Sequence, residues 1–471
     1  MCHNEFGKES SPEVYDIIIV GAGVIGCAMA RRFTLEGATV LIVEKGDDIL
    51  GGASKGNSAL LHTGFDAPPN SLELSCMQKG YQEYLEIHSR FQLPVLKTGA
   101  MVVAWTEQEE QQLPQIIEKA HANGVTDVRL IDTREVRRLE PGLSQNARAA
   151  AWIPGEYVID PWSAPLAYLT QAIENGAHLK LSTEIRHGEF DGAVWQLQTG
   201  EETIKCRTVI NCAGLYGDIL EEDLLGKSSF EIRPRKGQFV VFDKIASKLM
   251  NAIILPVPTP FTKGVVVCQT IFGNVLVGPT AEEQDSRDDA SVDTETLKKL
   301  QQTAIKIIPA LQGVPITATY AGIRTASEEK HYRISVHENK HWITVGGIRS
   351  TGLTAALGIA SHVYELYSET GQRHKSIPEP FYPVVPALAE TAIRDYTQPG
   401  NRGIVCHCEL VTEREIANAL TGPVAAHTLE GLKRRTRATM GRCQGFYCTA
   451  RLSEITQGHL VQPIAIGKCH E

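Results

Sequence analysis

The sequence lacks long apolar runs and has no excess of positive charge. The longest apolar run near the N-terminus, residues 17–20, is only as long as a strand, whereas a membrane-spanning helix needs about 20 apolar residues. Residues 1–15 are polar and contain no apolar segment of the secretory-signal kind. Lys and Arg number 46 against 55 Asp and Glu, which argues against nucleic acid as a partner. We therefore expect a cytoplasmic protein, or one held at the inner face of a membrane through a partner.

The composition is that of a globular protein. Of the 471 residues, 42% are hydrophobic and 21% are charged, and this length accommodates two or three domains. The 11 cysteines form two sets, of which four lie together near the C-terminus. Without export to an oxidising compartment, we expect the scattered cysteines to be reduced. The scattered set is Cys2, Cys27, Cys76, Cys206, Cys212, Cys268 and Cys469.

A glycine-rich turn near the N-terminus lies between a predicted strand and a predicted helix. Residues 16–20 are apolar and mostly β-branched, residues 27–37 are typical of a helix, and residues 38–43 are typical of a second strand. Glu44 closes that strand roughly 20 residues after the first glycine, where an acid binds ribose hydroxyls. This unit predicts a dinucleotide site with the diphosphate at the helix N-terminus. Its G-x-G-x-x-G motif consists of Gly21, Gly23 and Gly26.

Two more predicted strands end in glycine turns. Residues 208–214 end at Gly214, and residues 342–347 end at Gly347. A loop that enters a helix follows the second of these turns, at residues 350–356. If the nucleotide-binding domain is assembled from separate segments, the three junctions can converge on one ligand.

A loop rich in Gly and Ser, residues 51–58, comes directly after the second strand. With that loop, residues 16–64, 211–214 and 346–354 resemble flavoproteins of the D-amino-acid oxidase and glycerol-3-phosphate dehydrogenase superfamily. The resemblance covers almost the whole chain and implies FAD rather than NAD, since the loop wraps the flavin in these proteins. The alternative for the loop is a plain surface turn. The implied FAD-binding residues are Gly21, Gly23, Gly26, Glu44, Ser54, Asn57, Ser58, Gly214, Gly347, Thr351, Gly352, Leu353 and Thr354.

The four clustered cysteines form C-x-C and C-x4-C pairs. Four thiolates in two close pairs suit a tetrahedral zinc site or a [2Fe-2S] cluster, and the C-x-C spacing counts against zinc. Residues 405–413 and 436–445 resemble the [2Fe-2S] domain named after bacterioferritin-associated ferredoxin. That domain forms the C-terminal part of some anaerobic-type glycerol-3-phosphate dehydrogenases and of some opine and related amine dehydrogenases. The implied cluster ligands are Cys406, Cys408, Cys443 and Cys448.

Basic residues precede the second cysteine pair. They would offset the negative charge of a four-thiolate cluster, but for any single one of them a solvated helix face is the favoured interpretation. These residues are Lys433, Arg434, Arg435, Arg437 and Arg442.

The predicted fold class is α/β, with a Rossmann-like FAD-binding domain, an inserted substrate domain and a small helical C-terminal [2Fe-2S] domain. The inserted domain is expected to be mostly antiparallel, because short apolar runs alternate there with polar turns. Four prolines within residues 378–386 predict an extended linker. The expected boundaries are 14–375 for the oxidoreductase domain (FAD-binding segments about 14–94, 141–227 and 323–375; substrate-domain segments about 95–140 and 228–322), 376–402 for the Pro-rich linker and 403–471 for the [2Fe-2S] domain.

The resemblance also implies two catalytic residues. His62 follows the flavin loop and corresponds to a histidine near the isoalloxazine, which would serve as a base; a structural role is the equal alternative. Arg324 lies in a G-x-R segment whose arginine binds the substrate anion, and Arg349 is a second candidate. Thr325 stands where family members often have proline. Arg235 is expected to be structural.

The resemblance implies a dehydrogenase that oxidises a small anionic carbinol, glycerol 3-phosphate or an L-2-hydroxy acid. Electrons would pass from the flavin to the [2Fe-2S] cluster and then to an electron-acceptor subunit or a quinone-linked partner. One alternative is an amine or amino-acid dehydrogenase of the opine or sarcosine type. The other is that the C-terminal domain only binds a cluster or docks a partner.

Overall fold

The computed structural model describes residues 12–200, 202–258 and 264–465. Within these ranges, no helix is both long and apolar enough to cross a lipid bilayer. Cys2, Cys469 and the end of the predicted C-terminal domain, positions 466–471, lie outside the described residues. The other scattered cysteines are free thiols, as expected.

The strands of the described chain are given in sequence order. They are β1 (Tyr15–Val20), β2 (Val40–Val43), β3 (Leu60–Leu61), β4 (Val95–Leu96), β5 (Ala100–Ala104), β6 (Arg129–Asp132), β7 (Ala149–Ile153), β8 (Tyr157–Ile159), β9 (His178–Lys180), β10 (His187–Phe190), β11 (Trp195–Thr199), β12 (Glu202–Asn211), β13 (Arg235–Phe242), β14 (Ile253–Pro256), β15 (Val266–Gln269), β16 (Val275–Gly278), β17 (Glu282–Glu283), β18 (Ile316–Arg324), β19 (Arg333–His337), β20 (Trp342–Gly346), β21 (Ile404–Cys406) and β22 (Val411–Thr412).

The α-helices of the described chain connect or cover these strands. They are α1 (Val24–Leu35), α2 (Leu72–Ile87), α3 (Glu107–Glu110), α4 (Leu113–Ala122), α5 (Thr133–Leu139), α6 (Ser163–Glu174), α7 (Gly217–Leu225), α8 (Thr294–Ile307), α9 (Gly352–Glu369), α10 (Glu413–Thr421), α11 (Leu429–Thr436) and α12 (Thr449–Ile455).

Parallel strands form the centre of the first sheet, in the order β9-β2-β1-β12-β20. Strands β1 and β2 are almost wholly buried, as expected of apolar strands covered on both faces. In the register of the sheet, Val20 pairs with Asn211 and Asn211 pairs with Thr344. The carboxyl ends of β1, β12 and β20 therefore lie side by side, and the three predicted strand-to-glycine junctions meet at one edge.

The second sheet has the order β17-β13-β16-β15-β14-β5-β7-β6, with β18 on the other edge of β13. Neighbouring strands within this sheet are antiparallel, except that β5 and β14 run parallel to each other. Two buried apolar clusters cover its faces. The predicted α/β fold with an inserted, mostly antiparallel domain is confirmed.

Two short strands cross the predicted segment boundaries. Strand β7 lies inside the predicted FAD-binding segment 141–227 but pairs with β5 and β6 of the second sheet. Strand β4 lies at the start of the predicted substrate segment 95–140 but pairs with β8 in a small sheet with β3. The reason is that Gly99, between β4 and β5, and Pro154 and Gly155, between β7 and β8, mark turns without saying that the chain changes sheets there. The alternation of apolar and polar residues does not say which sheet a strand joins either.

The C-terminal unit packs α10, α11 and α12 around the β21–β22 hairpin. Its own apolar core includes Cys406, Cys448 and Leu432. The Pro-rich segment 376–402 contains neither an α-helix nor a strand, although it is anchored rather than free. Leu388 and Ala389 are fully buried against residues of the second domain.

Candidate functional site

A cavity of about 440 Å³ opens at the edge of the first sheet where the three junctions meet. Most of the predicted FAD-binding residues lie in its wall. Three of the predicted residues, Gly26, Thr351 and Thr354, do not line the cavity; Gly26 packs against the wall residue Gly21, whereas Thr354 contacts His62 and Leu60. The predicted residues in the wall are Gly21, Gly23, Glu44, Ser54, Asn57, Ser58, Gly214, Gly347, Gly352 and Leu353.

The first glycine turn brings backbone N–H groups to this cavity. Gly21 adopts a φ of +104°, and a Cβ on Gly26 would lie 1.9 Å from the Gly21 oxygen, so helix α1 packs closely on the turn. The Glu44 carboxylate accepts a hydrogen bond from the Ala22 N–H at 2.8 Å. The Ser54 hydroxyl accepts one from the Val24 N–H at 2.9 Å, at the helix N-terminus. A helix N-terminus with glycine-lined access fits a diphosphate.

The Gly/Ser-rich loop, residues 51–58, is packed against the second sheet and is not a plain surface turn. The Tyr320 hydroxyl on β18 donates to the Asn57 carbonyl at 2.8 Å. A Cβ on Gly322 would lie 2.5 Å from the Gly56 oxygen, so the loop and strand approach at backbone contact distance. Residues of the G-x-R segment therefore hold the loop that lines the cavity.

Arg324 is partly buried in the cavity wall at the end of β18. Its guanidinium donates to the Thr280 carbonyl at 3.1 Å and the Lys236 carbonyl at 3.4 Å. Burial, together with the positive charges of Arg235 and Arg349, lowers the pKa of Arg324 to about 10. The local environment thus disfavours this cation, and a bound anion would stabilise it.

Residues around Arg324 fix its position. The Thr325 hydroxyl donates a hydrogen bond to the carbonyl of Ile348. This bond joins the arginine-bearing strand to the glycine loop after β20. Arg235, expected to be structural, pairs with Glu283 at 3.0 Å. Arg349 lines the cavity.

His62 lies directly after β3 and is oriented by a buried carboxylate. Its Nδ1 is 2.7 Å from the Glu156 Oε2, and the Glu156 side chain is 0% exposed. The other Glu156 oxygen accepts from the N–H and hydroxyl of Thr63 at 2.6 and 2.8 Å. The His62 N–H donates to the Thr354 hydroxyl at 3.1 Å, which ties β3 to α9. In the described structure the His62 side chain does not form part of the cavity wall.

The four clustered cysteines come together as two pairs. Cys408 contacts Cys443, and Cys406 contacts Cys448, so each pair takes one thiol from each motif. Among the described residues, no three His, Cys, Asp or Glu side chains converge as a site for a single metal ion. Two separate thiol pairs suit a core with two irons, each held by two thiolates. Burial raises the pKa of Cys448 to about 12.

Three of the basic residues before the second cysteine pair, Arg434, Arg435 and Arg442, attach this domain to the rest of the chain. Arg434 and Arg435 are buried, and they bind the Ile49 carbonyl at 2.8 Å and the Asp48 carboxylate at 2.8 Å. Arg442, itself mostly exposed, pairs with Asp243 at 2.8 Å. The favoured interpretation of a solvated helix face is therefore wrong for Arg434, Arg435 and Arg437, which are all buried. The first two bind acceptors of the oxidoreductase domain, and Arg437 pairs with Glu409 at 2.8 Å.

Residues 16–366 match the family model described as FAD dependent oxidoreductase. The chain belongs to this family. Residues 404–457 of this oxidoreductase match the BFD-like [2Fe-2S] binding domain. The predicted cofactors, FAD and a [2Fe-2S] cluster, are confirmed, and the glycine cradle and the paired thiols described above fit them.

Several relatives of this FAD-dependent oxidoreductase align over most of their length. The glycerol 3-phosphate dehydrogenase of Caloramator mitchellensis is 32% identical, with 97% of each chain covered. The glycerol 3-phosphate oxidase of Mycoplasma pneumoniae (strain ATCC 29342 / M129 / Subtype 1) is 30% identical over 75% of this chain and 94% of that one. The solved structure of dithionite-reduced L-alpha-glycerophosphate oxidase from Mycoplasma pneumoniae with FAD bound superposes with a TM-score of 0.71 at 28% identity, over 79% and 98% of the two chains.

Sequence reasoning missed several residues of the site. Glu156 lies 94 positions from His62 and belongs to no motif. Tyr320 lies just before the G-x-R segment, and no motif predicts that its hydroxyl binds the Asn57 carbonyl of the Gly/Ser-rich loop. Asp48 follows the predicted ribose-binding acid closely, but nothing local indicates that its partner is Arg435. Each depends on contacts between distant segments.

Proposed function

We propose that this FAD-dependent oxidoreductase is a dehydrogenase of a small anionic carbinol, with glycerol 3-phosphate as the leading substrate and an L-2-hydroxy acid as the second. Arg324 carries this proposal. It is a partly buried cation in the wall of the cofactor cavity, where Arg349 adds a second positive charge. A planar guanidinium binds phosphate or carboxylate through paired hydrogen bonds.

The His62–Glu156 pair favours a carbinol substrate over an amine substrate. The Glu156 carboxylate lies 2.7 Å from the His62 Nδ1 and orients the imidazole, and a hydroxyl group needs such a base before hydride can leave. Bound FAD supplies the hydride acceptor. His62 would take the hydroxyl proton, Arg324 would hold the anionic end, and Glu156 would stabilise the imidazolium that forms.

The proposal includes electron transfer to an external partner. The cluster loop exposes Phe446 and Tyr447, at 81% and 74%, between the ligands Cys443 and Cys448. Cys443 and Cys408 are themselves partly exposed. An electron-acceptor subunit or quinone-linked partner would reach the cluster from this side, and attachment to the inner face of a membrane would occur through that partner. The alternative is that the C-terminal domain serves docking alone.

An anaerobic substrate screen tests the proposal. Glycerol 3-phosphate should bleach the flavin absorbance and then reduce the cluster, whereas glycerol, which lacks the anion, should not. L-2-hydroxyglutarate tests the second substrate class, and sarcosine and glycine test amine oxidation. Bleaching by the amines alone would contradict the proposal, and flavin bleaching without any cluster reduction would favour the docking alternative.

A further inference from the structure

Two aromatic side chains occupy the space between the cofactor cavity and the cysteine domain. The rings of Trp162 and Phe272 are stacked, with centroids 5.6 Å apart and planes inclined by 15°. Phe272 is only 4% exposed, and Trp162 packs in the same apolar cluster. Trp162 belongs to the segment before α6, and Phe272 belongs to the turn between β15 and β16.

One end of this stack contacts the flavin loop. The Trp162 indole N–H donates to the Lys55 carbonyl at 3.2 Å. Lys55 and Pro161, the residue before Trp162, both line the cofactor cavity. The buried Asp160 carboxylate accepts from the Trp162 N–H at 3.0 Å and fixes the start of this segment.

The other end of the stack contacts the cysteine domain. The Arg437 guanidinium lies over the Phe272 ring, 4.0 Å from its centroid. The same guanidinium donates to the Glu409 carboxylate at 2.8 Å, and both side chains are buried. Glu409 directly follows the ligand Cys408. A continuous series of packed groups therefore runs from the flavin loop to a cluster ligand.

We propose that Trp162 and Phe272 form the route by which electrons pass from the flavin to the [2Fe-2S] cluster. The inference rests on the proposed function, in which substrate delivers two electrons as a hydride. These electrons leave the flavin one at a time, each reduces one ferric ion of the cluster to ferrous, and a one-electron acceptor such as a partner's iron–sulfur centre reoxidises it before the next transfer. The flavin proton is released to solvent. The contacts Lys55–Trp162, Trp162–Phe272, Phe272–Arg437 and Arg437–Glu409 place packed protein atoms along the whole way between the flavin loop and the residue after Cys408.

The alternative to an electron route is that the Trp162–Phe272 stack serves packing alone. Phe272 supports Leu388 and Ala389 of the Pro-rich segment, so its loss could loosen that segment without affecting any electron route. The two roles make different demands. A route needs an aromatic ring at each position, whereas packing needs apolar volume.

The test uses the full-length holoenzyme and Trp162→Leu, Phe272→Leu and Trp162→Phe variants. A light pulse with a sacrificial donor reduces the flavin without any substrate, and absorbance then follows transfer to the cluster. Both leucine variants should slow this transfer at least roughly tenfold, equivalent to about 1.4 kcal/mol in activation free energy. Trp162→Phe keeps an aromatic ring but loses the hydrogen bond to Lys55, so its transfer should be faster than that of Trp162→Leu. Iron content, FAD content and the cluster's reduction potential should be unchanged in all three.

Wild-type transfer rates in both leucine variants would overturn the proposal. So would transfer in Trp162→Phe as slow as in Trp162→Leu, accompanied by faster proteolytic cleavage within residues 376–402, since that result assigns the stack to packing. Failure of the proposed function looks different, because glycerol 3-phosphate would then leave the flavin of the wild-type enzyme unbleached while the light-driven transfer still occurred.

Discussion

The Asp48 carboxylate and the Arg435 guanidinium lie 2.8 Å apart, and both side chains are at most 6% exposed. Asp48 lines the cofactor cavity, whereas Arg435 belongs to helix α11 of the [2Fe-2S] domain. The same carboxylate also accepts from the His427 N–H at 2.9 Å. A single buried acid therefore links the edge of the FAD site to the cluster domain.

Removing the cation from this pair should destabilise the protein. Arg435→Met leaves the Asp48 charge buried without its partner, which costs about 3–5 kcal/mol in comparable pairs. Urea unfolding of the holoenzyme measures the loss. Lys79→Met is the matched control, because Lys79 and Glu365 form an exposed pair (47% and 53%) and such pairs contribute about 0–1 kcal/mol. Equal effects of the two substitutions would contradict the role of the buried pair.

The His62–Glu156 pair gives a prediction about turnover. His62→Ala should lower the turnover rate by roughly 10²–10⁴, the usual contribution of a positioned general base, with FAD retained. Glu156→Gln keeps the size of the side chain but loses the charge that stabilises the imidazolium, so it should also lower turnover and leave substrate KM nearly unchanged. Steady-state kinetics with bound-FAD absorbance checks both. His121→Ala is the control, since His121 on α4 lies 2.7 Å from the Val128 carbonyl and does not line the described cofactor cavity. Normal turnover in His62→Ala would leave His62 a structural residue.

The convergence of the glycine junctions could be predicted because it follows from local pattern. Each junction is an apolar strand followed by glycine, and parallel strands bring such ends to one edge. Glu156 and Asp48 could not be predicted in the same way. Their partners lie 94 and 387 positions away, and no residue period or spacing joins them. The membership of β7 in the second sheet was missed for the same reason, since pairing between distant strands is decided by packing.

Replacing Arg324 should weaken substrate binding but increase the stability of the folded protein. Because its surroundings lower its pKa to about 10, the charged form is held at a cost in the folded protein without substrate. Arg324→Gln keeps a donor for the Thr280 carbonyl, so it should raise the urea midpoint of the holoenzyme. It should also weaken binding of the anionic substrate by about 2–5 kcal/mol, seen as a higher KM. Thermal stabilisation by glycerol 3-phosphate should occur in wild type and disappear in the variant; stabilisation retained in Arg324→Gln would exclude this residue as the anion site.

The Asp218–Arg287 pair predicts part of the acid sensitivity. Burial alone would raise the pKa of Asp218, but the Arg287 guanidinium at 2.8 Å and the Ile232 N–H lower it. A carboxyl with a lowered pKa stabilises the fold fully above its ordinary pKa of about 3.9 and loses that contribution as pH falls through the folded value. Urea unfolding at pH 7 and near pH 3 should therefore show a larger loss for wild type than for Asp218→Asn. Parallel losses in the two proteins would contradict this assignment.

The cysteine pairs give a prediction that separates the two redox groups. Cys443 contacts Cys408, and serine at position 443 removes a thiolate that an iron ion of a [2Fe-2S] cluster requires. Cys443→Ser should therefore lose iron and sulfide, lose the electron paramagnetic resonance signal of the reduced cluster, and lose electron transfer to an artificial acceptor that reacts at the cluster. Flavin bleaching by substrate should remain, because the FAD cavity lies in the other domain and hydride transfer does not involve the cluster.

Cys268→Ala is the control, since Cys268 is a buried thiol of the second sheet and should keep both signals. Stoichiometric zinc without iron in the wild-type protein, or a cluster that stays oxidised while substrate fully reduces the flavin, would exclude the cluster from the path of electrons.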